Sequence, residues 1–254
     1  MDTARAKAFR RLFFDLKAVW LDGPAPGSSS FGEGGRDDFN EWCVKPVAWG
    51  WASRAIRSAE AAVRLSDAGL SEETSPLLRS AIEHSMFLWW LQIERGKVIE
   101  VLKRAQKESL GKMIKAQSIG WAIDAPTLKV IQDLIDDAND QHKHLDALAK
   151  TGNLAQRYTD DLGNLFQAWL YDTQTSHATL QSASAYYSLI PAHDPGGPGF
   201  RLLRIPETKD NVAAKAAVAT QVALSGYSKA SGLEGFYQPK LDRFTSRFAG
   251  LMAP

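Results

Sequence analysis

The chain has 254 residues, of which 44% are hydrophobic and 23% charged, with a formal net charge of +1. That composition supplies apolar surface for a core and excludes global disorder. The near-zero charge excludes a nucleic-acid binder that relies on a strong overall basic excess. A lone cysteine, Cys43, excludes an intrachain disulfide and points to a reducing, cytoplasmic setting. The most apolar run, residues 86–91, is too short to cross a bilayer, and the first residues lack the apolar stretch of a secretory signal.

Residues 4–21 are predicted as an amphipathic helix, with Phe9, Leu12, Phe13, Leu16, Val19 and Trp20 at helical spacing. A Pro/Gly stretch stops it, and residues 22–36 read as a flexible Gly/Ser loop. A helix over 36–68 follows, which Pro46 either kinks or starts. Its alanines (Ala48, Ala52, Ala55, Ala59, Ala62) allow a neighbouring helix to come close, and Gly69 caps it. Ser71 is the candidate N-cap of the next helix, ahead of Glu72 and Glu73. Its stretch 77–93 is apolar nearly all round, which places it at the centre of a bundle. A basic helix is expected over 97–117, and Asp124-Ala125-Pro126 starts another that runs to about residue 139. Residues 160–189 read as helix again. Three prolines and three glycines in 191–199 make the strongest break in the chain. Residues 200–205 have an extended pattern, although a lone strand cannot satisfy its own backbone. Helices over 210–228 and 236–252 complete an all-α, multi-helix bundle of about seven or eight helices, expected as a single domain over 1–254.

Two stretches carry unusual polar groups. Arg79 and Glu83 lie four apart, on one face of the apolar helix, with Met86 and Trp90 continuing the stripe. Charges there are expensive unless matched, so the bland reading is a buried ion pair that fixes packing. The second stretch is Tyr171-Asp172-Thr173-Gln174-Thr175-Ser176-His177. Polar groups this dense on a core helix need partners. The expectation is that the helices over 77–93 and 160–189 touch, gathering Arg79, Glu83, Tyr171 and His177 into one semi-buried cluster. Asp172 and Ser176 would add binding groups, and Trp89, Trp90 and Trp169 would line an apolar pocket beside it. The bland alternative for His177 is a satisfied core histidine.

R-x-x-x-E on a central helix, followed about ninety residues later by Y-x-x-x-x-S-H, resembles an uncharacterised bacterial family of all-helical domains of unknown function. Here Arg79, Glu83, Tyr171, Ser176 and His177 carry the resemblance, over approximately residues 48–228. It implies a helical fold and no settled activity. Arg79 and His84 also fit the arginine, four to six residues, histidine signature of HEPN ribonucleases. That resemblance implies metal-independent cleavage of RNA, with histidine moving the proton of the 2′-hydroxyl or leaving oxygen and arginine stabilising the charged transition state. The chain departs from that family's pattern at Ser80, where a residue such as asparagine is usual. On a regular helix Arg79 and His84 also lie about 140° apart.

Asp136, Asp137, Asp140, His142 and His144 form an acidic, histidine-bearing run, read as a solvated helix end and not as a metal site. Cys43 reads as core and His193 as an exposed loop residue. A Walker loop, a dinucleotide fingerprint and G-x-S-x-G are all absent, so no cofactor is implied. Three functions stay open. The first is a binding module for a protein partner or small ligand. The second is a HEPN-like ribonuclease of a toxin or phage-defence system, with RNA as its partner. The third is a hydrolase built on Glu83 and His177. A homodimer is compatible with each.

Overall fold

The computed structural model describes residues 3–27, 32, 34–116, 126, 129, 141–190, 199–206 and 211–252. The fold is all-α, as the periodicity predicts: α1 (Thr3–Leu21), α2 (Arg36–Asp67), α3 (Ser75–Glu94), α4 (Gly96–Ala116), α5 (Thr151–Arg157), α6 (Thr159–Ser176), α7 (Leu180–Ser184), α8 (Val212–Ser231) and α9 (Glu234–Met252). Short 3₁₀ turns at Glu72–Thr74 and Lys143–Ala149 join them, and β1 (Tyr187–Ile190) pairs with β2 (Gly199–Leu202). The helix expected over 124–139 and the loop over 191–199 fall outside the described residues, apart from positions 126, 129 and 199. Asp136, Asp137, Asp140 and His193 therefore also lie outside them, and the loop over 22–36 does so in part. No helix among the described residues is long and apolar enough to cross a membrane.

α3 is central, packed against α2, α6 and α8. Its Ala81, Ile82, Met86, Leu88, Trp90 and Leu91 are buried. α2 runs unbroken through Pro46 instead of starting there. It ends where Gly69 takes φ +83°, with Leu70 N donating to Leu65 O (2.9 Å) and Gly69 N to Ser66 O (3.0 Å). This is the left-handed glycine cap that releases the chain toward α3. Ser71 does not cap α3 with its side chain; its hydroxyl instead meets that of Ser66 at 2.8 Å.

The α3–α8 seam is made by small residues. Ala216, Ala219, Ala223, Gly226 and Ala230 recur every three or four positions along α8, and all are buried. The backbones come close enough for the single Ser85 hydroxyl proton to be shared between Ala81 O (2.7 Å) and Ala219 O on the facing helix (2.8 Å). At Gly226 a side-chain Cβ would stand 2.8 Å from the backbone carbon of Leu88.

The expected helix over 160–189 is in fact three elements: α6, α7 and β1. Hydroxyls explain the first break. Thr173 donates to Trp169 O (2.8 Å), Thr175 Oγ1 stands 3.2 Å from Tyr171 O, and Ser176 donates to Asp172 O. Such side chains compete with the helical ladder. Thr179 then caps α7, accepting from Ser182 N. Tyr187-Ser188-Leu189-Ile190 is extended and, as β1, supplies the backbone partner that the lone extended pattern at 200–205 lacked, of which Gly199–Leu202 is strand.

Candidate functional site

α3 presents Ser75, Arg79 and Glu83 at four-residue spacing along one edge, and each meets a polar group from α5 or α6 or, at Arg79, from the residue just past α6. Thr175 Oγ1 donates to Ser75 Oγ at 2.7 Å. Arg79 Nη1 lies 3.0 Å from His177 Nε2, across 98 residues of sequence. Thr151 Oγ1 donates to Glu83 Oε1 at 3.0 Å. The two stretches with unusual polar groups therefore do touch.

Their pairing differs from the expected one. Among the described residues Arg79 and Glu83 form no ion pair with each other, because one turns to the end of α6 and the other to α5. His177 is exposed and follows the last residue of α6, so it is not a core histidine. Tyr171 is exposed too, and it joins a different group of residues. Arg79 and His84 do not converge: the ring Nδ1–H of His84 donates to Ser80 O, one turn back, at 2.7 Å. The three tryptophans do not share a pocket. Trp90 is in the core, Trp89 lies under Lys229 (5.2 Å), and Trp169 stacks on Phe166 and carries the Arg79 guanidinium 5.4 Å from its ring centre.

An arginine has only N–H donors, so its bond to His177 requires a neutral imidazole with the lone pair on Nε2 and the proton on Nδ1. The guanidinium has no carboxylate among the described residues. Arg79 Nε and Trp169 Nε1 are also buried without an acceptor. The result is a half-buried cation over the face of an indole and bordered by an imidazole, with donors left over.

Asp172 forms the second group. It is 1% exposed, and its Oδ1 takes Lys215 Nζ at 2.6 Å. Lys215 also sits 4.5 Å from the centre of the Tyr171 ring. Burial pushes the Asp172 carboxyl up, and Lys215 opposes that shift. Ser176, expected as a binding group, is spent on the Asp172 carbonyl. Lys215 stands outside the residues that the motifs single out. It has a sequence signal nonetheless, as the sole charged residue in the alanine-rich stretch 211–228. A lone charge on a buried face implies a buried counter-charge.

Glu100 on α4 provides the contrast. It is 1% exposed, accepts from Asn40 Nδ2 at 3.0 Å, and has Arg36 and Arg104 guanidinium nitrogens at 3.6 and 3.8 Å. Arg104 also reaches Asp146 at 2.5 Å. A fully compensated charge of this kind is a packing device. His142 and His144 lie nearby, with ring centres 6.3 Å apart, and no group of three metal-ligating side chains occurs among the described residues.

Residues 46–190 match the model of a family of unknown function, DUF5677. The chain belongs to this family. The DUF5677 segment runs from within α2 to the end of β1, so it contains Arg79, Glu83, Trp169, Asp172 and His177. Lys215, the counter-charge of Asp172, lies beyond it on α8. No curated protein and no solved structure matches the chain.

Proposed function

We propose that the protein is a binding module whose recognition group is Arg79, held by His177 and Trp169, and whose ligand presents an anionic oxygen group. The observation that carries this reading is the guanidinium itself, which meets His177 at 3.0 Å and has no carboxylate partner among the described residues. Arginine's planar fork matches carboxylate and phosphate oxygens, and the negative face of the nearby indole attracts the guanidinium.

The test is calorimetric titration with inorganic pyrophosphate. Weak one-site binding is expected, reduced at least about tenfold by Arg79→Ala, with Arg79→Lys restoring only part of it because an ammonium lacks the fork. Equal binding by wild type and Arg79→Ala, both folded, would overturn the reading.

One observation favours a second reading, a metal-independent ribonuclease. The imidazole beside Arg79 is His177, so guanidinium and imidazole are adjacent even though His84 points elsewhere. A phosphodiester taking the Arg79 donors would free His177 Nε2 to accept a 2′-hydroxyl proton. Cleavage of an oligoribonucleotide in the presence of chelator, lost in His177→Ala and unchanged in His84→Ala, is the result this reading requires. Intact RNA with the wild type removes it.

A further inference from the structure

The division of residues 160–189 into α6, α7 and β1 leaves a polar cavity where these elements meet the 3₁₀ turn ahead of α3. Its volume is about 150 Å³. Glu72 borders it from the turn, Tyr171 from α6, Gln181 from α7, and Tyr187 and Ser188 from β1. The Tyr186 hydroxyl donates to Glu73 and so pins the start of β1 against that turn. Thr175 and Ser184 line the cavity as well, but their hydroxyls are spent on Ser75 Oγ and Gln181 O. The side chains of the other five make no hydrogen bond or ion pair among the described residues. Glu72 and Tyr171 also border a narrow recess with Asp172, whose Oδ2 is buried without a partner.

We infer that this cavity binds a neutral polyhydroxyl molecule of about monosaccharide size. The inventory of donors and acceptors carries the inference. The Glu72 carboxylate only accepts, the Gln181 amide offers both kinds of group, and the Tyr171, Tyr187 and Ser188 hydroxyls donate and accept. A ligand hydroxyl does both too, so several on one ring can meet all of these partners. An anion would face the Glu72 charge with no basic residue lining the cavity among the described residues. An ammonium suits Glu72 but cannot accept, which leaves the amide and hydroxyl donors idle. The two tyrosines add the apolar surface that small-molecule sites combine with a few placed polar groups. At roughly 30 Å³ per water, the volume equals about five waters, which limits the ligand to one ring. The site is separate from the anion-binding group, since none of Arg79, Trp169 and His177 lines it.

The experiment is saturation-transfer NMR on the full chain with D-glucose, D-galactose, D-mannose and myo-inositol, and with ethanolamine as the cationic comparison. At least one of the four polyols is expected to bind, with a millimolar Kd. Gln181→Leu and Glu72→Ala are each expected to weaken that binding at least about tenfold with helicity unchanged, because neither side chain belongs to the core. Arg79→Ala is expected to leave it as in the wild type. Transfer to none of the four polyols would overturn the inference, and so would polyol binding that both cavity variants leave intact. Ethanolamine binding tighter than every polyol, and lost in Glu72→Ala, would overturn it as well, because the cavity would then be a cation site.

Discussion

Lys215→Ala is expected to destabilise the fold by about 3–5 kcal/mol, the usual cost of leaving a buried charge without its partner. The lysine's Nζ lies 2.6 Å from Asp172 Oδ1, with the two side chains 11% and 1% exposed. The pair ties α6 to α8 and so sets where α6 presents Trp169 and His177. The pH dependence follows from the direction of the Asp172 shift. Burial raises that carboxyl in the folded state, so ionising it opposes folding, and the penalty is complete above the folded value and absent below the ordinary carboxylate range. Removing Lys215 strengthens the shift. The deficit of Lys215→Ala is therefore full at neutral pH and shrinks as the pH falls through the raised value. Urea denaturation at pH 7 and near pH 5 measures it. The double variant Lys215→Met, Asp172→Asn is expected to recover most of the loss. A deficit below about 1 kcal/mol at pH 7 would mean that the pair is wetter than its exposure indicates.

Gly226→Ala is expected to cost at least about 2 kcal/mol, although alanine is normally the better helix former. The new Cβ would stand 2.8 Å from Leu88 C and 2.9 Å from Leu88 O. These are backbone atoms of α3 and cannot turn aside as a side chain can. α8 must then back away, lengthening the Ser85–Ala219 bond and loosening the alanine seam. Gly50→Ala is the control. Gly50 is also inside a helix, but nothing lies within 4 Å of its built Cβ, so a gain of up to about 1 kcal/mol is expected there. Thermal melts of the two variants should shift in opposite directions; two shifts of the same sign would contradict the close approach of α3 and α8.

The elements legible from sequence are those fixed by strong local physics. The stripe Phe9, Leu12, Phe13, Leu16 gave α1, Gly69 ended α2, and the all-round apolar stretch of α3 marked the central helix. The contact between α3 and the end of α6 was legible too, since polar groups in apolar surroundings have to find each other. Which group met which was not legible. Spacing on one helix says that Arg79 and Glu83 share an edge, but it does not reveal that His177 and Thr151 arrive on either side to separate them. The division of 160–189 was written in the hydroxyls of Thr173, Thr175, Ser176 and Thr179, but helical periodicity in Leu162, Leu165 and Trp169 outweighed it. Lys215 and Glu100 lie on helices far from the motifs, and only the tertiary fold gives them their partners.

Recognition of an anion at Arg79 requires that the guanidinium hold the His177 imidazole through Nε2. Long-range nitrogen–proton correlation of the ring measures this most directly, before and after adding pyrophosphate. Free His177 is expected to carry its proton on Nδ1 with Nε2 accepting; Arg79→Ala should abolish that preference, and pyrophosphate should perturb His177 while leaving His84 unmoved. His177 signals that are the same in wild type and Arg79→Ala, and silent to the anion, would contradict it.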